Sequence, residues 1–216
     1  MDYRALKELV RQGEGTHLEF KLKSNHPERI IREVVAFANT EGGRLLIGIG
    51  DDKTIQGLKH VEEDEFLLVR AIEKYCTPAI NYDIERIPVA KDRDVLLITV
   101  PESAGKPHYV TVDPVNDLKR AYIRVEDKAV QASKEVREIL KGERAARNIR
   151  FTYGDKEQTL MKHLGEHPNI TVDLFASIAN IPRKIASRTL VLLVLANVLK
   201  VQPDEVVDRF TTRVEH

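Results

Sequence analysis

Glu14, Glu19, Lys21, Asp51 and Asp52 are the side chains of this 216-residue sequence whose types and spacing suit a chemical step. Glu14 and Glu19 are five positions apart, and on one regular strand that odd spacing puts them on opposite faces. Gly15 can turn the chain between them, so both can approach one cleft, and the end of the apolar run Leu45–Ile49 can bring Asp51 beside them. Carboxylates grouped in this way hold a hard divalent cation, while Lys21, Lys23 and Arg44 hold phosphate; together they would make a metal-dependent phosphodiesterase. A salt-bridged strand face needs the same residues, and charge composition alone favours it.

Other motifs carry less. The sequence has no G-x-x-x-x-G-K-[ST] phosphate loop. Gly48-Ile49-Gly50-Asp51-Asp52-Lys53 begins like a dinucleotide fingerprint but has Lys53 at the third glycine position and opens a turn instead of a helix. His163-Leu164-Gly165-Glu166-His167 matches the inverted zinc motif H-x-x-E-H. It falls at the end of a short helix with Pro168 after it, where a solvated helix end is the better reading.

The elements that must position these residues can be read from periodicity. Thr16–Lys23 alternates, with Leu18, Phe20 and Leu22 on one side and His17, Glu19, Lys21 and Lys23 on the other, which predicts a half-buried strand. Pro27 suits a first helical turn, and Ile30, Ile31, Val34, Val35 and Ala38 follow at helical spacing. The glycines of Asn39-Thr40-Glu41-Gly42-Gly43 stop that helix. Leu45–Ile49 is continuously apolar, as in a strand buried on both faces. A helix over 62–75, a hairpin pairing 83–89 with 95–100, and a strand over 121–125 follow.

Beyond Ser133 the character changes. Residues 134–150 read as a connecting helix with basic residues near its C-terminal end. Segments 156–164, 172–179 and 183–199 read as three helices, and 198–202 with 209–213 as a short hairpin, a winged-helix pattern. Arg183, Lys184 and Arg188 stand in the first two turns of the third helix, where a recognition helix meets DNA. The apolar stretch Leu190–Leu199 assigns the rest of that helix to a core or to a homodimer face.

Composition sets the outer bounds. Thirty-four Lys and Arg balance 34 Asp and Glu, which excludes a globally basic binder and an acidic disordered tail. Residues 1–133 carry 20 basic against 23 acidic side chains, and residues 134–150 carry 6 against 3. A single cysteine, Cys76, excludes an internal disulfide framework and fits a reducing compartment. With no apolar signal core at the start and no run long enough to span a bilayer, the expected location is the cytoplasm, away from membranes.

An ordered set of segments resembles the Schlafen AlbA_2 family. These are Glu14-x4-Glu19-Phe20-Lys21, Ala36-Phe37-Ala38-Asn39-Thr40-Glu41-Gly42-Gly43-Arg44-Leu45-Leu46-Ile47-Gly48-Ile49 and Ile55-Gln56-Gly57, then Lys106-Pro107-His108-Tyr109 and Ala121-Tyr122-Ile123-Arg124-Val125. The resemblance covers roughly residues 10–131. It implies an α+β, mixed-sheet domain over 1–133, which in bacterial relatives is joined to a small winged-helix domain (here 151–216) and described as a DNA-binding transcriptional regulator. It adds Lys106, His108 and Arg124 to Lys21, Lys23 and Arg44 as a phosphate-binding face. Vertebrate Schlafen relatives cleave RNA with two glutamates and an aspartate. Glu14 and Glu19 match the glutamates, whereas Gly50 stands where the aspartate belongs and Asp51 is one position late.

The leading expectation is therefore a DNA-binding transcriptional regulator that needs no cofactor, with DNA ahead of RNA as partner. A metal-dependent RNA nuclease using Glu14, Glu19 and Asp51, with a divalent metal as its only cofactor, stands second. A nucleotide- or partner-sensing module stands third.

Overall fold

A computed structural model describes residues 1–145 and 152–213 of the chain. The chain divides into two compact units, Met1–Gln131 and Ala132–His216.

The first unit is built on a four-stranded mixed sheet. Strand β1 (Leu18–Lys21) pairs in parallel with β2 (Gly43–Ile47), and helix α2 (Pro27–Asn39) makes the crossover between them. Two antiparallel strands complete the sheet in the order β1-β2-β5-β4, with β4 spanning Asp83–Ala90 and β5 spanning Arg93–Val100. Helix α1 (Tyr3–Gln12) precedes the sheet strands and helix α3 (Val61–Tyr75) comes between β2 and the hairpin. A two-residue β3 (Cys76–Thr77) joins β6 (Tyr109–Asp113) and β7 (Leu118–Arg120) in a small sheet; β8 (Tyr122–Val125) and β9 (Lys128–Gln131) form a ribbon.

Burial on both faces explains the continuous apolar run in β2. Leu45 and Ile47 pack with α2 and α3 in one core, while Leu46 and Ile49 pack with Leu6, Leu9 and Val10 of α1 in another. Successive strand residues face opposite sides, so a strand covered twice has no place for an outward polar residue. The same covering corrects the expectation of a half-buried β1. Leu18 and Phe20 enter the α1-side core, and the opposite residue, Glu19, is buried as well.

The α2–β2 turn depends on its glycines. Gly42 has φ +76, and a Cβ there would sit 2.8 Å from the Val100 carbonyl oxygen. At Gly43 a Cβ would collide with the Phe37 ring. This close approach keeps the end of α2 against the start of β2.

The second unit starts with α4 (Lys134–Ala145), which packs against α7 (Arg183–Leu195). The part of the expected connecting helix beyond 145 lies outside the described residues. Helices α5 (Asp155–Glu166) and α6 (Val172–Ile178) and the antiparallel hairpin β10 (Leu199–Gln202) with β11 (Arg209–Thr212) complete the unit. Ile170 and Phe210 exchange backbone hydrogen bonds at 2.9 and 2.8 Å, which ties the segment before α6 to β11. The apolar half of α7 is core, not a free face: Leu190, Val191 and Leu193 are buried with Leu160, Phe175 and Phe210. Helix α7 also ends at Leu195, four residues before the expected end, and Leu199 starts the hairpin. Among the described residues no helix is long and apolar enough to cross a membrane.

Candidate functional site

The carboxylates predicted at the start of β1 meet in the first unit, in company that sequence spacing did not reveal. Glu14 folds back so that its Oε1 accepts from the Phe20 backbone N–H at 2.8 Å. Glu19 lies one residue along on the opposite side of the strand. Its Oε1 accepts from the Lys21 ammonium and its Oε2 from Arg124 Nη1 at 3.0 Å. The same Arg124 nitrogen reaches Glu33 Oε2 on α2, and Nη2 donates to the Gly15 carbonyl at 2.6 Å. The Arg124 side chain is 0% exposed, and its guanidinium lies 4.9 Å from the centre of the Phe37 ring.

Residues of the Asn39–Gly43 turn put Arg124 there. Thr40 Oγ1 accepts from the Arg124 backbone N–H at 2.9 Å and donates to the Ala36 carbonyl at 2.8 Å. Asn39 is buried; its Nδ2 donates to the carbonyls of His108 and Tyr122, both at 2.9 Å, and its Oδ1 accepts from the His108 N–H at 2.6 Å. Two polar side chains at the end of α2 thus dock β8 and the loop before β6, and docking β8 delivers Arg124 to Glu19.

The electrostatics follow from a local excess of acid. Among the described residues Glu14, Glu19 and Glu33 face two cations, Lys21 and Arg124. Burial, reinforced by the neighbouring Glu19 carboxylate and opposed by Arg124 and Lys21, pushes the Glu33 carboxyl up to about 7. Partial burial also raises Glu14, with the Phe20 N–H pulling the other way. The Glu33 carboxyl therefore takes up a proton as pH falls through about 7, well above the range of an exposed glutamate.

The donor set does not fit a divalent cation. Both oxygens of Glu19 are engaged by cations, and one oxygen of Glu14 is engaged by backbone. Asp51 does not join them: among the described residues no three His, Cys, Asp or Glu side chains are placed to hold a metal. Asp51 is exposed in the turn after β2, and Asp52 is bound to its own loop, accepting from Thr54 N–H at 3.0 Å and Thr54 Oγ1 at 2.6 Å. Those bonds hold the Asp52 carboxyl below its usual range. The glycines near this turn serve packing: Gly48 O accepts from the Gln56 and Gly57 N–H groups at 3.0 and 2.9 Å.

The cations expected to form one phosphate-binding face are dispersed. Arg124 and His108 are buried, so neither reaches the surface. His108 Nδ1 pairs with the Pro78 carbonyl at 2.9 Å and Nε2 with Ser103 Oγ at 2.7 Å. Lys21 is committed to Glu19, and Lys106 lies 2.7 Å from Glu102. Lys23 and Arg44 are exposed, but Arg44 falls in the strand register of Leu46, on the face opposite Lys21.

In the second unit, Arg183, Lys184 and Arg188 are all exposed at the start of α7. Arg183 Nε donates to Asp173 Oδ1 at 2.7 Å, and its Nη1 stands 3.9 Å from Glu135. Lys184 and Arg188 lie one turn apart and make no ion pair among the described residues. The His163 and His167 rings are tilted against each other with centres 4.3 Å apart, yet Glu166 is exposed and among the described residues no metal-holding group forms around them.

Glu33 is the one cluster member the sequence did not point to. Its only signal is a charged residue inside the stretch Ile30–Ala38, where nearly every other position is apolar.

Two solved structures resemble the chain. One is the N-terminal domain of a RecG-related protein from Nitrosomonas europaea, 22% identical with a TM-score of 0.40, covering 49% of this chain and 80% of that one. The other is the DIP2311 protein from Corynebacterium diphtheriae, 20% identical with a TM-score of 0.42, covering 64% of this chain and 31% of that one. Over residues 14–133, which run from the first cluster glutamate through β9, the sequence matches the family described as Schlafen, AlbA_2, and the chain belongs to that family.

Proposed function

We propose that the protein is a DNA-binding transcriptional regulator whose second unit, read as a winged helix, holds the duplex. The observation that carries this reading is the pair Lys184 and Arg188, exposed one turn apart at the start of α7 and without an ion pair among the described residues. Cations in that state are available to phosphate, and a helix start is the part of a recognition helix that meets a groove. The Schlafen-type unit fits a module that does not cut. Its glutamates are engaged by Arg124, Lys21 and backbone, so they have little left to offer a metal or an attacking water.

The test is gel-shift and cleavage measured together on duplex DNA, single strands and transfer RNA, with and without Mn²⁺. Salt-dependent retention of the duplex without turnover is the expected result. Metal-dependent RNA cleavage by the wild type that Glu14→Ala/Glu19→Ala lacks would replace this reading with the nuclease. Absence of affinity for every nucleic acid would replace it with a sensing module.

A further inference from the structure

A cavity of about 350 Å³ opens in the first unit, away from the carboxylate cluster. Ile31 and Arg32 of α2, Ala71 and Tyr75 of α3, and Val110 and Val112 of β6 line it. Its size falls at the lower end of ordinary small-molecule sites, and its walls are mostly apolar, as such sites usually are.

Glu28 and Arg32, one turn apart on α2, are the charged groups of the wall, and Arg32 is its cation. Its Nε is buried and has no hydrogen-bond partner, and no ion pair among the described residues engages its guanidinium. Its one neighbour of note is the Tyr122 ring, 5.6 Å from the guanidinium carbon to the ring centre. Ring stacking fixes the plane of the guanidinium without using its N–H groups. That nitrogen is closed to solvent, so the terminal Nη nitrogens, which no hydrogen bond engages among the described residues, are the ones a ligand in the cavity can reach. Arg124 Nε is likewise buried without a partner, but its Nη nitrogens meet two carboxylates and a carbonyl, whereas those of Arg32 meet none among the described residues.

Glu28 lies at the rim beside the positive end of α2, with its Oε1 3.3 Å from His26 Nδ1. Glu28 has His26 beside it, which leaves Arg32 as the charged wall group without a partner and suits a ligand with one negative charge on an apolar body. A carboxylate meets that description, and its two oxygens match the planar fork of a guanidinium. We propose that this cavity binds a small aromatic or aliphatic carboxylic acid, with Arg32 holding the carboxylate and Ile31, Ala71 and Val110 enclosing the apolar part. The proposal goes beyond the DNA-binding reading and does not depend on it, since the readout is ligand binding alone.

The test uses the full chain and three acids, benzoate, phenylacetate and indole-3-acetate, each beside its neutral amide. The chain contains no tryptophan, so indole emission and its polarisation report the probe. At least one acid should bind saturably, about tenfold tighter than its amide, equivalent to about 1.4 kcal/mol. Binding should shift the Arg32 Nε–H resonance. In Arg32→Gln the preference for acid over amide should vanish. Because that variant also loses its stacking on Tyr122, a second variant, Ala71→Phe, keeps Arg32 and fills the cavity; it should abolish binding of the acids. Absence of saturable binding by all three acids overturns the proposal. So do equal affinities for acid and amide, or unchanged acid affinity in Ala71→Phe.

Discussion

Arg124 in the first unit and the pair Lys184 and Arg188 in the second have opposite fates. In the first unit Arg124 belongs to a strand docked on α2, and its guanidinium enters the protein, where two carboxylates and a carbonyl surround it. In the second unit Lys184 and Arg188 belong to a helix whose buried stripe runs through Ala186, Ser187, Leu190 and Leu193, which leaves their side chains outside. A cation carried inward must be matched by acid or the fold loses several kcal/mol. A cation on the outer face of an amphipathic helix has no such obligation and keeps its charge for a partner. The difference lies in the elements that carry the residues, because the residue types are alike.

The strongest way to break the comparison is to remove Arg124. Arg124→Ala leaves Glu19 and Glu33 buried without their common partner, and breaking a buried pair from one side costs about 3–5 kcal/mol. Denaturant unfolding should show a loss of that size, with Glu33→Gln in the same chain recovering part of it. A loss below about 1 kcal/mol would place the cluster with ordinary surface pairs.

Asn39→Ala should rank next. It removes three hydrogen bonds inside the core and strands the His108 N–H and the carbonyls of His108 and Tyr122. An unmet buried polar group costs about 1–3 kcal/mol, and water reaching part of the space limits the sum to about 2–4 kcal/mol. The midpoint of thermal unfolding reads the change. Recovery by Asn39→Asp at low pH, where the carboxylic acid can donate, would tie the loss to hydrogen bonding and not to volume.

Glu33 sharpens the comparison through pH. Its carboxyl is raised from 4.5 to about 7 in the folded protein, so the folded state holds the proton more tightly than the unfolded chain does. That contribution to stability is fully present below the unfolded value. It fades as pH rises between about 4.5 and 7 and is lost above the folded value. Glu33→Gln should flatten this slope. At pH 8 it should unfold at higher denaturant than the wild type, by about 1–3 kcal/mol, and near pH 4 the two should agree within about 1 kcal/mol. Equal pH slopes for the two proteins would mean that Glu33 titrates as an exposed glutamate does.

Local pattern made much of this fold legible. Period-two and helical spacing placed α2, the β4–β5 hairpin and the three helices and hairpin of the second unit close to where they lie. Shorter strands escaped. The two residues of β3 and the three of β7 are too few to show a period, and β6 pairs not only with its neighbour β7 but with β3, which the β4–β5 hairpin separates from it in sequence. At the site, Glu14, Glu19, Lys21 and Arg124 were all marked, but as a metal centre and a phosphate-binding face. What converted them into an internal ion cluster is the contact of β8 with α2, more than 80 residues apart along the chain. Periodicity within a segment holds no information about such a pairing. Asn39 and Thr40 were visible as a helix stop; their role in docking β8 was not, because a polar side chain that caps a helix and one that reaches a distant carbonyl look alike in sequence.

Removing the outward cations should have the smallest effect on stability and a selective effect on binding. Neither Lys184 nor Arg188 has an ion pair to lose among the described residues, so Lys184→Ala/Arg188→Ala should leave the unfolding midpoint within about 0.5 kcal/mol of the wild type. Its effect belongs in the dependence of DNA affinity on salt. Each phosphate contact contributes about 0.9 to the slope of log affinity against log salt, so losing two should reduce its magnitude by about 1.8. Arg183→Ala tests the distinction within one helix. Its guanidinium already has Asp173 at 2.7 Å, so engaging phosphate would first require leaving that carboxylate. Its removal should reduce the slope by less than either neighbour's removal does. If Arg183→Ala instead reduced the slope by about 0.9, as one full phosphate contact does, the Asp173 pair would be a resting state that DNA opens. If neither variant moved the slope, the start of α7 would be a solvated face and the contrast between the two units would be one of burial alone.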